Sequence, residues 1–213
     1  MPFDQGDLMK DSELKVLGIS GSPRKAATDF AIRKALEYAE KKYKIKTDYF
    51  HLYGKKINFC MHCDYCIRTK KGCIQKDDMT EVYAKLEDTD AMLFATPVYN
   101  GTLSAQLKAL FDRCRALVAK NPKALKNKVG AGIAVGGDRL GGQEIALLTI
   151  HSFFLINKMI PVSGGALGAN LGGTLWSRDL GEKGVEEDLE GFKSVYKTVD
   201  RLVEVAMLLR KNK

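Results

Sequence analysis

Nothing in this chain is long, apolar and uninterrupted: across 213 residues no hydrophobic run approaches the roughly 18 residues that a membrane-crossing helix requires. The opening Met1-Pro2-Phe3-Asp4-Gln5-Gly6-Asp7 lacks the basic start and apolar core of a secretory signal. These two absences predict a cytoplasmic protein with no membrane partner. Internal repeats and low-complexity linkers are missing too, and the length excludes a long multidomain enzyme. One α/β-sized domain is expected over 13–213, behind a flexible, poorly anchored stretch at 1–12. Hydrophobic residues at 45% and charged residues at 28% are ordinary globular proportions, so wholesale disorder is excluded as well.

Acidic residues are in the minority, 26 against 34 Lys and Arg, for a net charge of +8. The basic residues are scattered, with no aromatic ladder and no DNA-reading helix among them, which argues against a nucleic-acid partner. A phosphate ligand, an acidic redox partner or plain solubility would each account for the charge. Cysteine is sparse but uneven: four of five fall within the fourteen residues from Cys60 to Cys73, and Cys114 stands alone in a helical pattern. That is not the spread of a secreted disulfide framework.

Short β-branched runs alternate with longer helical patterns, the rhythm of a parallel sheet covered by helices on both faces. Strands are expected at Leu14–Ile19, Thr47–Leu52, Ala91–Ala95, Val129–Val135 and Ile160–Val162. Helices are expected at Thr28–Lys42, Met79–Leu86, Ser104 to about Val118, Gln143–Asn157 and Val185–Leu209. The fold class that follows is α/β, a flavodoxin-like doubly wound five-stranded parallel sheet with a cysteine-rich loop, 53–78, inserted after the second strand. In such sheets ligands sit beyond the carboxyl ends of the strands, so the loops that follow them carry the chemistry.

After the first strand, Ser20-Gly21-Ser22-Pro23-Arg24-Lys25-Ala26-Ala27-Thr28 brings hydroxyls, backbone N–H groups, two cations and a helix N-terminus together, the makings of a phosphate cradle. It is neither a Walker loop nor a dinucleotide fingerprint, which favours a mononucleotide. The plainer reading is a helix capped by Ser22 or Thr28. After the third strand, Pro97-Val98-Tyr99-Asn100-Gly101 offers a rigid turn and a flat aromatic. After the fourth, Gly136-Gly137-Asp138-Arg139-Leu140-Gly141-Gly142 lets backbone amides approach a ring edge. A flavin would fit between the two, although each loop taken singly could be no more than a turn.

Cys60-Met61-His62-Cys63-Asp64-Tyr65-Cys66, then six residues to Cys73, is a CxxCxxCx6C arrangement whose spacing favours an iron–sulfur cube over zinc. His62 could compete as a ligand but reads better as a solvated loop residue. Cys114, at helical spacing with Leu107, Leu110 and Phe111, reads as a core thiol.

Gly21-Ser22-Pro23-Arg24, Thr96-Pro97-Val98-Tyr99 followed by Ser104-Ala105-Gln106-Leu107-Lys108, and Gly136-Gly137 to Gly141-Gly142-Gln143-Glu144 resemble the flavin motifs of the NADPH-dependent FMN reductase superfamily over residues 14 to 165. The resemblance implies that Ser20, Ser22, Arg24 and Thr28, with Pro23, hold the FMN phosphate. It implies that Pro97, Val98, Tyr99, Asn100 and Gly101, with Gly136, Gly137, Asp138, Gly141 and Gly142, surround the isoalloxazine. Ala26 and Ala27 depart from the polar or glycine residues of many relatives. With the cysteine motif added, the chain is similar to the iron–sulfur flavoproteins. That likeness implies a [4Fe-4S] cluster on Cys60, Cys63, Cys66 and Cys73, and homo-oligomers, dimeric or tetrameric, in which a cluster lies near a neighbour's flavin.

The expected function is an electron-transfer oxidoreductase, passing electrons from a ferredoxin-like donor through the cluster and FMN to a small-molecule two-electron acceptor, with no side chain serving as a nucleophile. Lys55, Lys56, Arg68, Lys70, Lys71 and Lys76 would ease reduction of the cluster and could dock an acidic donor. Two alternatives stand: an NAD(P)H-dependent FMN or quinone reductase with a zinc-stapled loop, and a non-catalytic metal-binding interaction module. The segment 164–176, rich in glycine, would cover the flavin, pack at a subunit interface or simply connect.

Overall fold

The computed structural model describes residues 14–211; the stretch expected to be flexible, 1–12, lies outside them. Lys15–Ser20 forms β1, Lys46–His51 β2, Ala91–Pro97 β3 and Val129–Gly136 β4. β3 and β4 are buried from end to end, as apolar strands are when both faces of a parallel sheet are covered. β2 alternates instead, because it lies at an edge. With β5 (Ile160–Pro161) the order is β2-β1-β3-β4-β5, every pairing parallel.

The fifth position is filled in two pieces. β5 pairs with the start of β4 at Val129 and Gly130, and β6 (Gly173–Trp176) pairs with its end at Ile133–Gly136. The last four residues of the glycine-rich segment 164–176 thus complete the sheet edge. Periodicity could not show this, since Gly-Thr-Leu-Trp is too short for an alternating signal.

One layer holds α1 (Ala27–Tyr43), α7 (Gly181–Glu186) and α8 (Leu189–Lys211), packed through Ile32, Ala35, Val185, Val195 and Leu202. The other holds α3 (Met79–Glu87), α4 (Ala105–Arg113), α5 (Arg115–Lys120) and α6 (Gln143–Ile156), packed around Phe94. Phe111 meets the Phe94 ring edge-on at 5.1 Å and stacks on Phe153 at 4.0 Å. The single helix expected from Ser104 is divided at Cys114, and the last helix is preceded by the separate α7. A short helix, α2 (Tyr65–Thr69), lies inside the cysteine loop.

Since all strands run the same way, the loops after β1, β2, β3 and β4 emerge on one edge of the sheet. They are locked to one another there. The Gly21 N–H donates to the Ala95 carbonyl, the Ser104 hydroxyl to the Gly21 carbonyl, and the Val98 N–H to the Val135 carbonyl. Among the described residues no helix is long and apolar enough to cross a membrane.

Candidate functional site

Ser20, Ser22 and Thr28 are almost fully buried, whereas Arg24 is exposed beside them. Ser22 accepts a hydrogen bond from the Arg24 N–H, which curls the loop over the start of α1. The first residue before α1 is Ala26, and no side chain among the described residues caps the helix. Capping by Ser22 or Thr28 is therefore set aside, and the first N–H groups of α1 face the loop without a side-chain acceptor, as an anion site requires.

The Ser20 hydroxyl is buried with no hydrogen-bond partner among the described residues. A buried hydroxyl of that kind calls for an acceptor from outside the chain. His51, in register with Ser20 on β2, has a buried Nδ1 in the same condition. The sequence reading missed His51, whose only signal was its place at the carboxyl end of a strand. Orphaned hydroxyl, uncapped helix and neighbouring Arg24 together fit the phosphate of a mononucleotide.

The loop after β3 closes as a tight turn. Tyr99 and Thr102 exchange backbone hydrogen bonds, and both central residues, Asn100 and Gly101, have positive φ. This is a type I′ turn, for which Asn-Gly is the favoured pair. Tyr99 is left at the surface, while Val98 packs inward with Ala134, Ala146 and Leu147.

Across from it, Gly142 starts α6 at φ +102, and a Cβ there would stand 2.9 Å from the Gly101 Cα. Backbone thus meets backbone between the two loops. Gln143, buried, holds the glycine loop in shape: its Oε1 accepts from the Gly141 N–H and its Nε2 donates to the Asp138 carbonyl. Asp138 itself is exposed. Trp176 at the end of β6 donates to the Gly137 carbonyl, and its ring lies between the guanidinium groups of Arg139 and Arg178, 4.6 and 4.8 Å from its centroid. The backbone amides of these two loops suit the edge of a flat, heteroatom-rimmed ring.

The cysteine loop leaves β2 and doubles back with five left-handed residues, Gly54, His62, Asp64, Lys70 and Gly72. Cys60, Cys63, Cys66 and Cys73 line one small cavity, together with Asp112, Arg113 and Arg115. All four are free thiols; Cys63 is exposed and the others half-buried. Among the described residues no three His, Cys, Asp or Glu side chains converge tightly enough for a single metal ion. His62 is exposed and points to no ligand role.

A clamp that the sequence reading did not anticipate holds the loop by both ends. The Arg113 Nη1 donates to the Asn58 carbonyl and to Asp77 Oδ2, the Nη2 donates to Asp77 Oδ1, and the Asn58 N–H donates to Asp77 Oδ2. Both charged side chains are 1% exposed. Burial opposes the Asp77 charge, but its hydrogen bonds with Arg113 and the Asn58 and Met79 N–H groups outweigh that and hold the carboxyl below its ordinary range. Burial likewise opposes the Arg113 charge, and Asp77, Tyr83 and Cys73 more than offset it, so it stays protonated.

Nearer solvent, Arg115 pairs with Asp64 at 2.6 Å, and this hydrogen bond lowers the Asp64 pKa. Cys114 is apart from all this: burial pushes its thiol far up, as expected for a core cysteine.

A 2-1-3-4-5 parallel sheet whose post-strand loops build such an edge defines a flavodoxin-like α/β protein. A flavodoxin, WrbA-like protein from Agrobacterium tumefaciens shares it, with a TM-score of 0.60 at 16% identity over 95% of this chain and 100% of that one. The chain belongs to the family described as NADPH-dependent FMN reductase, whose model matches residues 14–173. Its curated relatives include an iron-sulfur flavoprotein from Methanocaldococcus jannaschii, 60% identical over 192 residues, 90% of this chain and 96% of that protein. Another, from Archaeoglobus fulgidus, is 54% identical over 190 residues, 89% and 96% of the two chains.

Proposed function

We propose that this protein is an iron–sulfur flavoprotein that accepts electrons singly at its cysteine loop and delivers them in pairs at its flavin edge. The observation that carries the reading is the cavity onto which Cys60, Cys63, Cys66 and Cys73 open, on the same sheet edge as the loop after β1. Membership of the FMN reductase family makes it an FMN-dependent oxidoreductase, and the two relatives' names supply the iron–sulfur half. Four thiols around one cavity, at the CxxCxxCx6C spacing, suit a [4Fe-4S] cube better than zinc.

Bound FMN would exchange electrons one or two at a time, and the cube one at a time. The chain's own residues do the rest. Ser20, Ser22, Pro23, Arg24 and Thr28 hold the phosphate. Pro97 to Gly101 and the backbone of Gly136, Gly137, Asp138, Gly141 and Gly142 surround the ring. No side chain needs to act as a nucleophile.

The cluster ligands face a basic surface: Lys56, Arg68, Lys70, Lys71 and Lys76 are exposed around them. That supports an acidic, ferredoxin-like donor. Phe59, Met61, Ile67 and Ile74 expose apolar surface on the same loop, and Ile145, Leu148, Leu155 and Ile156 do so on α6. Apolar surface of this extent supports a homo-oligomer, dimer or tetramer, that brings one chain's cluster toward another chain's flavin. Free thiols kept for ligation accord with a reducing, cytoplasmic compartment.

The test is an anaerobic absorbance spectrum with iron, sulfide, zinc and flavin analysis of the purified protein. About four irons, matching sulfide and one FMN per chain are expected. Zinc without sulfide would make it a flavin reductase with a metal-stapled loop, and failure to bind FMN would overturn the reading.

A further inference from the structure

A guanidinium presents five N–H donors in a rigid plane. In Arg113 three are engaged: Nη1 and Nη2 grip Asp77 end-on, and the second Nη1 hydrogen goes to the Asn58 carbonyl. The two that remain, Nε–H and the second Nη2 hydrogen, share the other edge of the plane. The Nε is fully buried and has no partner among the described residues. Leaving a charged donor unsatisfied in the interior costs more than a neutral one, so such an edge persists where an acceptor arrives from elsewhere. Arg113 lines the cavity onto which the four cysteines open.

We propose that Arg113 directs this free edge at a sulfur of the cluster held by Cys60, Cys63, Cys66 and Cys73, and thereby raises the cluster's reduction potential. The inference rests on the iron–sulfur reading above. Four thiolates around the cube leave a negatively charged centre that becomes more so on reduction. A fixed cation donating N–H···S stabilises the reduced state more than the oxidised one. Asp77 and Asn58 keep the edge aimed, because an arginine gripped end-on by a buried carboxylate cannot swing away. Arg115 is the contrasting neighbour: it also faces the cavity, but it is partly exposed and tied to Asp64, so water screens its charge.

The experiment is an EPR-monitored redox titration of the holoprotein, with Arg113→Lys and Arg115→Lys beside the wild type. Arg113→Lys keeps a cation for Asp77 but has no second edge. Its iron and sulfide should stay at wild-type levels while the equilibrium constant for reduction falls about tenfold, about 59 mV for one electron. Arg115→Lys should shift it far less. A cluster-bearing Arg113→Lys with the wild-type midpoint overturns the proposal.

Pulsed EPR on protein labelled with 15N in arginine alone does not depend on the Arg113 variant folding. The reduced cluster should couple to an arginine nitrogen in the wild type and in Arg115→Lys. Iron and sulfide present with no such coupling in either overturns the proposal alone. Zinc in place of iron and sulfide overturns the reading beneath it as well.

Discussion

Ser20 and Asp77 carry buried polar atoms for different reasons, and their substitution should separate them. Ser20 has a buried hydroxyl without a partner among the described residues, so none of them depends on it. Ser20→Ala should leave thermal stability unchanged and weaken FMN binding about tenfold, the loss of one hydrogen bond to a charged acceptor; flavin fluorescence titration reads it. Asp77, by contrast, is one half of a buried ion pair. Asp77→Ala leaves Arg113 buried and unpaired and should cost about 3–5 kcal/mol, read by urea unfolding. The pH dependence has a definite sign. The folded Asp77 pKa lies below its ordinary value. The pair's contribution is therefore complete above the unfolded carboxylate pKa, about 3.9, and disappears as pH falls from there through the folded pKa. Unfolding midpoints of wild type and Asp77→Asn should converge over that acid window and stay apart at neutral pH.

At the scale of elements, what matters is how closely the loop after β3 approaches the start of α6. Gly142 has positive φ and no room for a Cβ beside the Gly101 backbone. Gly142→Ala should push these loops apart, destabilise the protein by about 1–3 kcal/mol and lower FMN affinity together with it; calorimetry and flavin titration on one preparation check both. The Asn100-Gly101 turn and the Gly-Gly pairs were legible as turns because few residues adopt those φ values. Their meeting was not legible, since it depends on β3 and β4 being neighbours. The same holds for Arg113. Its partners Asn58 and Asp77 belong to a loop fifty-five and thirty-six positions away. The division of the helix at Cys114 and the strand at Gly173–Trp176 lay below the resolution of periodicity, because each involves only a few residues.

On the scale of the whole molecule, the loops proposed to hold FMN and the proposed cluster loop leave one sheet edge yet are separate segments. Cys63→Ala should abolish the cluster while FMN remains bound, with iron analysis near zero and the flavin absorbance retained. Full iron content in that variant would remove Cys63 from the ligand set. The parallel sheet makes this modularity possible. Each loop leaves the end of its own strand, and separate cores around Ile133 and Phe94 pack on the sheet.

The amino-acid order by itself determined the alternation of strands and helices, the hydroxyls and cations of the loop after β1, the Asn-Gly turn and the four clustered cysteines. These are local properties, written in periods of two and 3.6 residues, in backbone preferences and in ligand spacing. Only the tertiary structure decided that β6 completes the sheet edge, that Gly101 and Gly142 touch, that Ser20 and His51 lie in register with a buried polar atom of each unpaired among the described residues, and that Arg113 closes the cysteine loop. Each of those joins residues far apart in the chain. Burial and hydrogen bonding act on what the fold brings together, not on what the sequence sets side by side.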